Sequence, residues 1–462
     1  MSVLVLDGAH VVTMDGLGRE LEAGDVVIDG SRIVAVGAGP FDAAAYDPAS
    51  DLVAGGEPRI VDARGCVLTP GLVNTHHHLY QWATRGLAVD ATLFEWLTAL
   101  YPVWGGLDAD IVGDAAAAGL GRLALTGCTT SMDHHYVFPR EGGDVLGAEI
   151  EAASRVGVRL LATRGSMDLG RRHGGLPPDH VVEEIDAILD ATAEAVAAHH
   201  DPGPESRVRI GVAPCSAFSV TGDLLRESAA LARSLGVRLH THLSETLDEE
   251  DFCRERFGAR PVEYLDSLGW LGPDVWLAHG IHFDDGDIAR LAATGTSVTH
   301  CPCSNGRLGA GICRTRDLLD AGVGVGLGVD GAASNESSSL LEEARVALLL
   351  ARARGGPTAL SVRESLRLAT IGGARVLGWD ADLGSIEVGK LADLALWRLD
   401  TLPHAGVVDP VAGLVLGSQP PLELLLVGGD PVVERGRLVT ADEDALARGA
   451  ERASRRIRAT VT

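Results

Sequence analysis

The sequence predicts an α/β fold: a closed parallel (β/α)8 barrel accompanied by a small β-sandwich domain that both ends of the chain build together. Three observations carry this. Short β-branched or Leu-rich runs alternate with longer Ala/Leu/Arg segments of helical period through the middle of the chain. About eight such strand-then-helix units fit into roughly 250 to 300 residues, the size of one such barrel. Two turn-rich segments with near-period-two alternation flank that middle, one at each end.

Taken in order, "VLVLDGAHVV", "GDVVIDGSRIVAVG" and "RIVDARGCVLTPG" read as small antiparallel strands, with Asp29-Gly30 as a hairpin turn. "VRLLATRG", "VRIGVAP", "VRLHTHLSE", "DVWLAHG", "TSVTHCP" and "VGVGLGVDG" read as barrel strands, while "DAAAAGLGRLALTG", "RESAALARSLG" and "DIARLAATG" have helical period. The texture of the first strands returns in "GSIEVGKLADLALWRLD" and "LELLLVGGDPVVERGRLV". The expected division is residues 1–66 for the N-terminal part of the sandwich, 67–382 for the barrel, and 383–462 for the C-terminal part of the sandwich plus a tail. The glycines of "AGVGVGLGVDG" lack the spacing and following helix start of a dinucleotide loop.

Composition excludes several function classes. With 64 acidic against 39 basic residues the formal charge is −25, which repels nucleic acid and anionic membranes, and no local basic patch offsets it. No run approaches the roughly 18 apolar residues of a membrane span, and the first residues lack a basic n-region and cleavage site. Seven cysteines, an odd and scattered set, do not form a secreted disulfide framework. The expectation is therefore a soluble cytoplasmic protein without nucleic-acid or membrane partners, acting on a small molecule and forming a homo-oligomer. Lys390 is the only lysine, so nothing earlier in the chain supplies a Schiff-base lysine or a carboxylated lysine bridging two metals.

His76 and His78 in "NTHHHLY", His242 in "LHTHLSETLDEE", His279 in "VWLAHG" and Asp330 in "GLGVDGAASN" each follow an apolar strand-like run. In a parallel barrel these positions converge on the C-terminal face. Strand alternation sends His76 and His78 to one side and His77 away, and this donor set suits zinc, or iron or manganese. His240 stands two residues before His242, so either could face inward; His282 is peripheral. Glu245 fits a proton shuttle or, with the acids around it, a helix start. Gln81 fits hydrogen bonding to a heterocycle edge, and Arg164 in "TRGSM" fits binding of a carbonyl oxygen.

Together and in this order, "VLTPGLVNTHHH", "THLSE", "AHG", "CPCSN", "GLGVDG" and "GSIEVGKLADLAL" resemble the amidohydrolase superfamily and, within it, the cytosine/guanine-type aminohydrolases. "NTHHHLYQWATRG", "GCTTSMDHHYVFP", "TRGSMDLG", "APCSAFS" and "GIHFDDGDIARL" look like the 8-oxoguanine deaminase group of that family. The resemblance implies a distorted barrel, one divalent metal held by His76, His78, His242 and Asp330, and Glu245 as general acid/base. It also implies that His279 contacts the attacking water and that Asp330 takes part in catalysis. Gln81, Arg164 and Glu245 are the expected substrate contacts. The implied reaction is hydrolytic deamination of 8-oxoguanine, with a hydroxylated triazine or a pterin as alternative substrates and a non-catalytic scaffold as the remote reading. Cys215 stands where adenosine-type relatives carry histidine, Gly306 where relatives carry a bulkier residue, and Glu95 either caps a helix or aligns with a ribose-binding acid.

Overall fold

A computed structural model describes residues 3–39 and 58–460. Eight parallel strands form the barrel: Leu72–Asn74, Cys128–His135, Arg159–Ser166, Val208–Pro214, Leu239–Leu243, Val275–His279, Ser297–His300 and Val325–Leu327. They neighbour one another in that order. The last meets the first where the Thr75 amide and hydroxyl both donate to the Leu327 carbonyl, at 3.0 and 2.9 Å. Beyond this seam a two-residue ladder pairs Asp330 with His77 and Gly331 with His78.

Local chemistry sets the connecting helices. Helix Gly222–Leu235 starts where the Thr221 side chain accepts the Leu224 amide and stops at Gly236, whose φ of 69° is left-handed. Its buried Leu224, Leu225, Ser228, Ala229 and Ala232 form a single stripe against the barrel. Thr246 and Asp284 cap the helices after the fifth and sixth strands in the same way. The strand tips therefore end in fixed turns.

Both ends of the chain share one nine-stranded sheet, joined where Leu394–Arg398 pairs antiparallel with Cys66–Pro70. Alternation divides its side chains: Leu6, Ile28, Ile33, Leu68, Leu396 and Leu426 enclose the sheet's own core. Val67, Trp397, Leu425 and Val427 turn the other way and join the barrel core. The last segment is a helix, Glu443–Ala459, which lies on barrel helix Ala109–Leu125 through buried Ala453 and Ile457 and the Arg452–Asp114 ion pair at 2.9 Å. No helix among the described residues is long and apolar enough to cross a membrane, and none of the seven cysteines is in a disulfide.

Candidate active site

His76, His78, His242, Glu245, His279 and Asp330 meet at the C-terminal end of the barrel strands, all buried. Two glycines allow the approach of the last strand. A Cβ on Gly328 would stand 2.6 Å from that of His76, and one on Gly331 would collide with the Gln81 amide. His279 and Asp330 have φ of 75° and 60°, conformations uncommon for residues other than glycine and often concentrated at functional sites.

The hydrogen bonds fix the tautomers of four imidazoles. His78 donates from Nδ1 to the His134 carbonyl at 2.7 Å, and His242 donates from Nδ1 to the Cys215 carbonyl at 2.7 Å. His240 Nδ1 donates to the Trp276 carbonyl at 2.9 Å, so its Nε2 accepts from His76 Nδ1 at 2.8 Å. The Nε2 atoms of His76, His78 and His242 are left with lone pairs, and that of His76 has no hydrogen-bond partner. Burial lowers the pKa of all three rings, well below the ordinary value for His78 and His242, which favours neutral imidazoles.

These acceptors crowd one point. His78 Nε2 and His242 Nε2 are 3.1 Å apart, and Asp330 Oδ1 lies 3.4 Å from His76 Nε2 and 3.3 Å from His78 Nε2. Facing lone pairs repel unless a cation stands between them. Four ligands about 2.0–2.1 Å from a tetrahedral zinc are separated by roughly 3.3–3.4 Å, so the donor set fits a divalent ion in both chemistry and spacing.

The other groups surround this point. Asp330 Oδ2 accepts from Ser304 Oγ at 2.5 Å. His279 Nε2 lies 3.5 Å from Glu245 Oε2, and its Nδ1 faces Asn305 Oδ1 at 3.0 Å. Burial pushes Glu245 up to about 7 against the pull of His279. Burial alone lowers His279, but the facing Glu245 and Asp330 carry it above its ordinary value. A cavity opens over the group, walled by Leu93, Trp96, Tyr101, Tyr136, Phe218 and Leu308. Gln81 and Cys215 also line it, while no arginine or lysine does. The Gln81 amide and Trp96 Nε1 are buried and make no protein hydrogen bond.

Other expected residues lie elsewhere. Arg164 is outside the cavity wall: its guanidinium pairs with Glu183 at 2.7 Å, donates to the Gly165 carbonyl and stacks 3.6 Å over Phe138. These partners hold the guanidinium away from the cavity that a substrate carbonyl was expected to share with it. His77 turns away, accepting the His78 amide at Nδ1, His282 faces the Ala310 carbonyl, and Glu95 caps its own helix through Thr92. His134 went unremarked in the sequence, yet its ring stacks 4.6 Å from that of His242 and its Nδ1 has no partner. It has the same strand-end address as the other histidines, the signal that could have found it.

Residues 67–432 match the amidohydrolase family. The chain is 46% identical to 8-oxoguanine deaminase from Pseudomonas aeruginosa, covering 94% of each, and 41% identical to isoxanthopterin deaminase from an unknown prokaryotic organism, covering 81% of this chain and 82% of that one. The crystal structure of atrazine chlorohydrolase from Arthrobacter aurescens TC1 complexed with zinc superposes with a TM-score of 0.91 at 35% identity, covering 98% of this chain and all of that one.

Proposed function

The chain belongs to the amidohydrolase family, and from that premise we propose that it is a metal-dependent aminohydrolase that converts 8-oxoguanine and water to urate and ammonia. One observation carries the mechanism: His76 and His78 turn Nε2 lone pairs toward Asp330, with the His242 Nε2 beside that of His78, next to a buried acid, Glu245. His76, His78, His242 and Asp330 are the proposed ligands of one divalent ion, zinc being the metal of the superposed relative and iron or manganese also suiting the donors. When bound there, such an ion would lower the pKa of a coordinated water from 15.7 toward about 7 and so supply a nucleophile at neutral pH.

The chain's own groups do the rest. Glu245 takes the proton of the attacking water and passes it to the ring nitrogen beside the amine-bearing carbon. His279, held by Asn305, orients that water; once its oxygen has bonded to the amine-bearing carbon, Asp330 relays the new hydroxyl's proton to the amine, the C–N bond breaks, and ammonia leaves as the carbonyl forms. The wall places a flat ring, while Gln81 offers a donor and an acceptor to its amide edge and Trp96 a further donor. A cavity without arginine or lysine supports a substrate without phosphate. The acidic balance supports a protein with no nucleic-acid or membrane partner, and seven free cysteines support a reducing, cytoplasmic compartment; by the same proposal it works as a homo-oligomer.

The test is ammonia release from aminopurines, pterins, triazines and cytosine, with metal content measured on the same sample. Turnover should be high with 8-oxoguanine, lower with guanine and nearly absent with adenosine. Faster turnover of a hydroxylated triazine or a pterin would replace the purine assignment and leave the deaminase chemistry standing. Gln81→Leu should keep the metal and lower kcat/KM, since an unpaired buried polar group costs about 1–3 kcal/mol, roughly 5- to 100-fold. Unchanged kcat/KM would remove Gln81 from the substrate contacts.

A further inference from the structure

The second barrel strand, Cys128–His135, ends against the segment carrying His76 and His78. Alternation turns His134 inward, beside His242, and sends Asp133 and His135 outward toward helix Val145–Val156. The His134 carbonyl holds the His78 ring, and Asp133 Oδ1 accepts the Leu79 amide at 2.6 Å. Leu79 opens the short helix Leu79–Thr84, in which Gln81 follows two residues later. Asp133 thus holds the chain between a proposed metal ligand and a proposed substrate contact.

Asp133 is fully buried, and among the described residues no arginine or lysine pairs with it. A second fully buried carboxylate, Glu149, stands behind it, and Asp133, His135 and Glu149 bring oxygen and nitrogen atoms within 4.8 Å of one another. Glu149 Oε1 lies 2.6 Å from His135 Nδ1, and His135 Nε2 lies 2.8 Å from the Val137 carbonyl. A carbonyl only accepts, so Nε2 carries a hydrogen, and a further proton lies between Nδ1 and Glu149. Burying two acids costs several kcal/mol for each one ionised, and apolar residues of like volume commonly leave a fold as stable or more so. Stability alone does not account for the trio.

We infer that Asp133, beside His135 and Glu149, is a positioning residue whose acceptor oxygen fixes the Leu79 amide and with it the placement of His78 and Gln81. The inference rests on the proposed metal site. In the full-length, metal-loaded protein, chelator competition and kcat/KM are measured for the wild type, D133N, D133L and D133S. The asparagine oxygen can still accept the Leu79 amide; leucine offers no acceptor and the serine hydroxyl is too short. D133L and D133S should lose about 10- to 100-fold in metal affinity or kcat/KM, as outer partners of metal ligands do, with D133N close to wild type. Wild-type values in D133L or D133S, equal losses in D133N, or failure of both non-acceptor variants to fold while D133N folds would overturn the inference. So would a second ion per chain lost in D133N, which would make the trio a metal site. A wild type that holds no metal would instead overturn the functional proposal.

Discussion

His76→Ala is expected to yield a folded protein with no bound metal and no measurable turnover, whereas His77→Ala keeps both. The two neighbours differ in what their rings do. His76 spends Nδ1 on His240 and leaves Nε2 unpartnered beside Asp330. His77 spends Nδ1 on the His78 amide, and its Nε2 faces Gly119 on a barrel helix, away from the cluster. Removing His76 takes one of the four proposed ligands from a site whose other lone pairs then have no common partner. Removing His77 costs one buried hydrogen bond, about 1 kcal/mol, plus a cavity, so it should lower Tm rather than metal content. Elemental analysis of both variants checks this, and the wild type should contain one ion per chain. Metal retained by His76→Ala, or two ions per active chain, would overturn the ligand assignment.

The barrel and the main site residues were legible because strand-end addresses are written in the sequence: an apolar run, then a histidine or aspartate. His76, His78, His242, His279 and Asp330 could be picked out that way, and they do meet. Their supports were not. The Cys215 and His134 acceptors are backbone carbonyls, which carry no residue-type signal. Alternation sends His240 and His242 to the same face, and what separates them is that His240, two residues earlier on the strand, is taken up by His76 and by the Trp276 carbonyl of the adjacent strand. Arg164 satisfied the strand-end rule and still falls outside the cavity, because Glu183, 19 residues later and in no motif, takes its guanidinium. Helix Glu443–Ala459 was read only as a tail, since its strongly polar outer face hides the short stripe that binds it to the barrel.

Glu245→Gln should retain the fold and the metal and lower kcat by about 10² to 10⁴-fold, the usual size of a general acid/base contribution. The position competes for two roles. Glu245 comes just before Thr246, which caps the helix Leu247–Phe257 with its own side chain. That helix does not use the Glu245 carboxylate: the Glu245 amide is the group engaged, donating to Glu249 at 2.9 Å. The carboxylate is turned instead toward His279 and the cavity. A glutamine keeps its shape and the contact with His279 but cannot carry a proton between water and ring nitrogen. Burial sets Glu245 to titrate at about 7, and a nearby cation pulls that value down. As a base it must be ionised, so wild-type kcat/KM should fall about tenfold per pH unit on the acid side of a limb at or below pH about 7. A loss below about tenfold in Glu245→Gln, or a matching drop in Tm with turnover per folded molecule unchanged, would return Glu245 to a structural role.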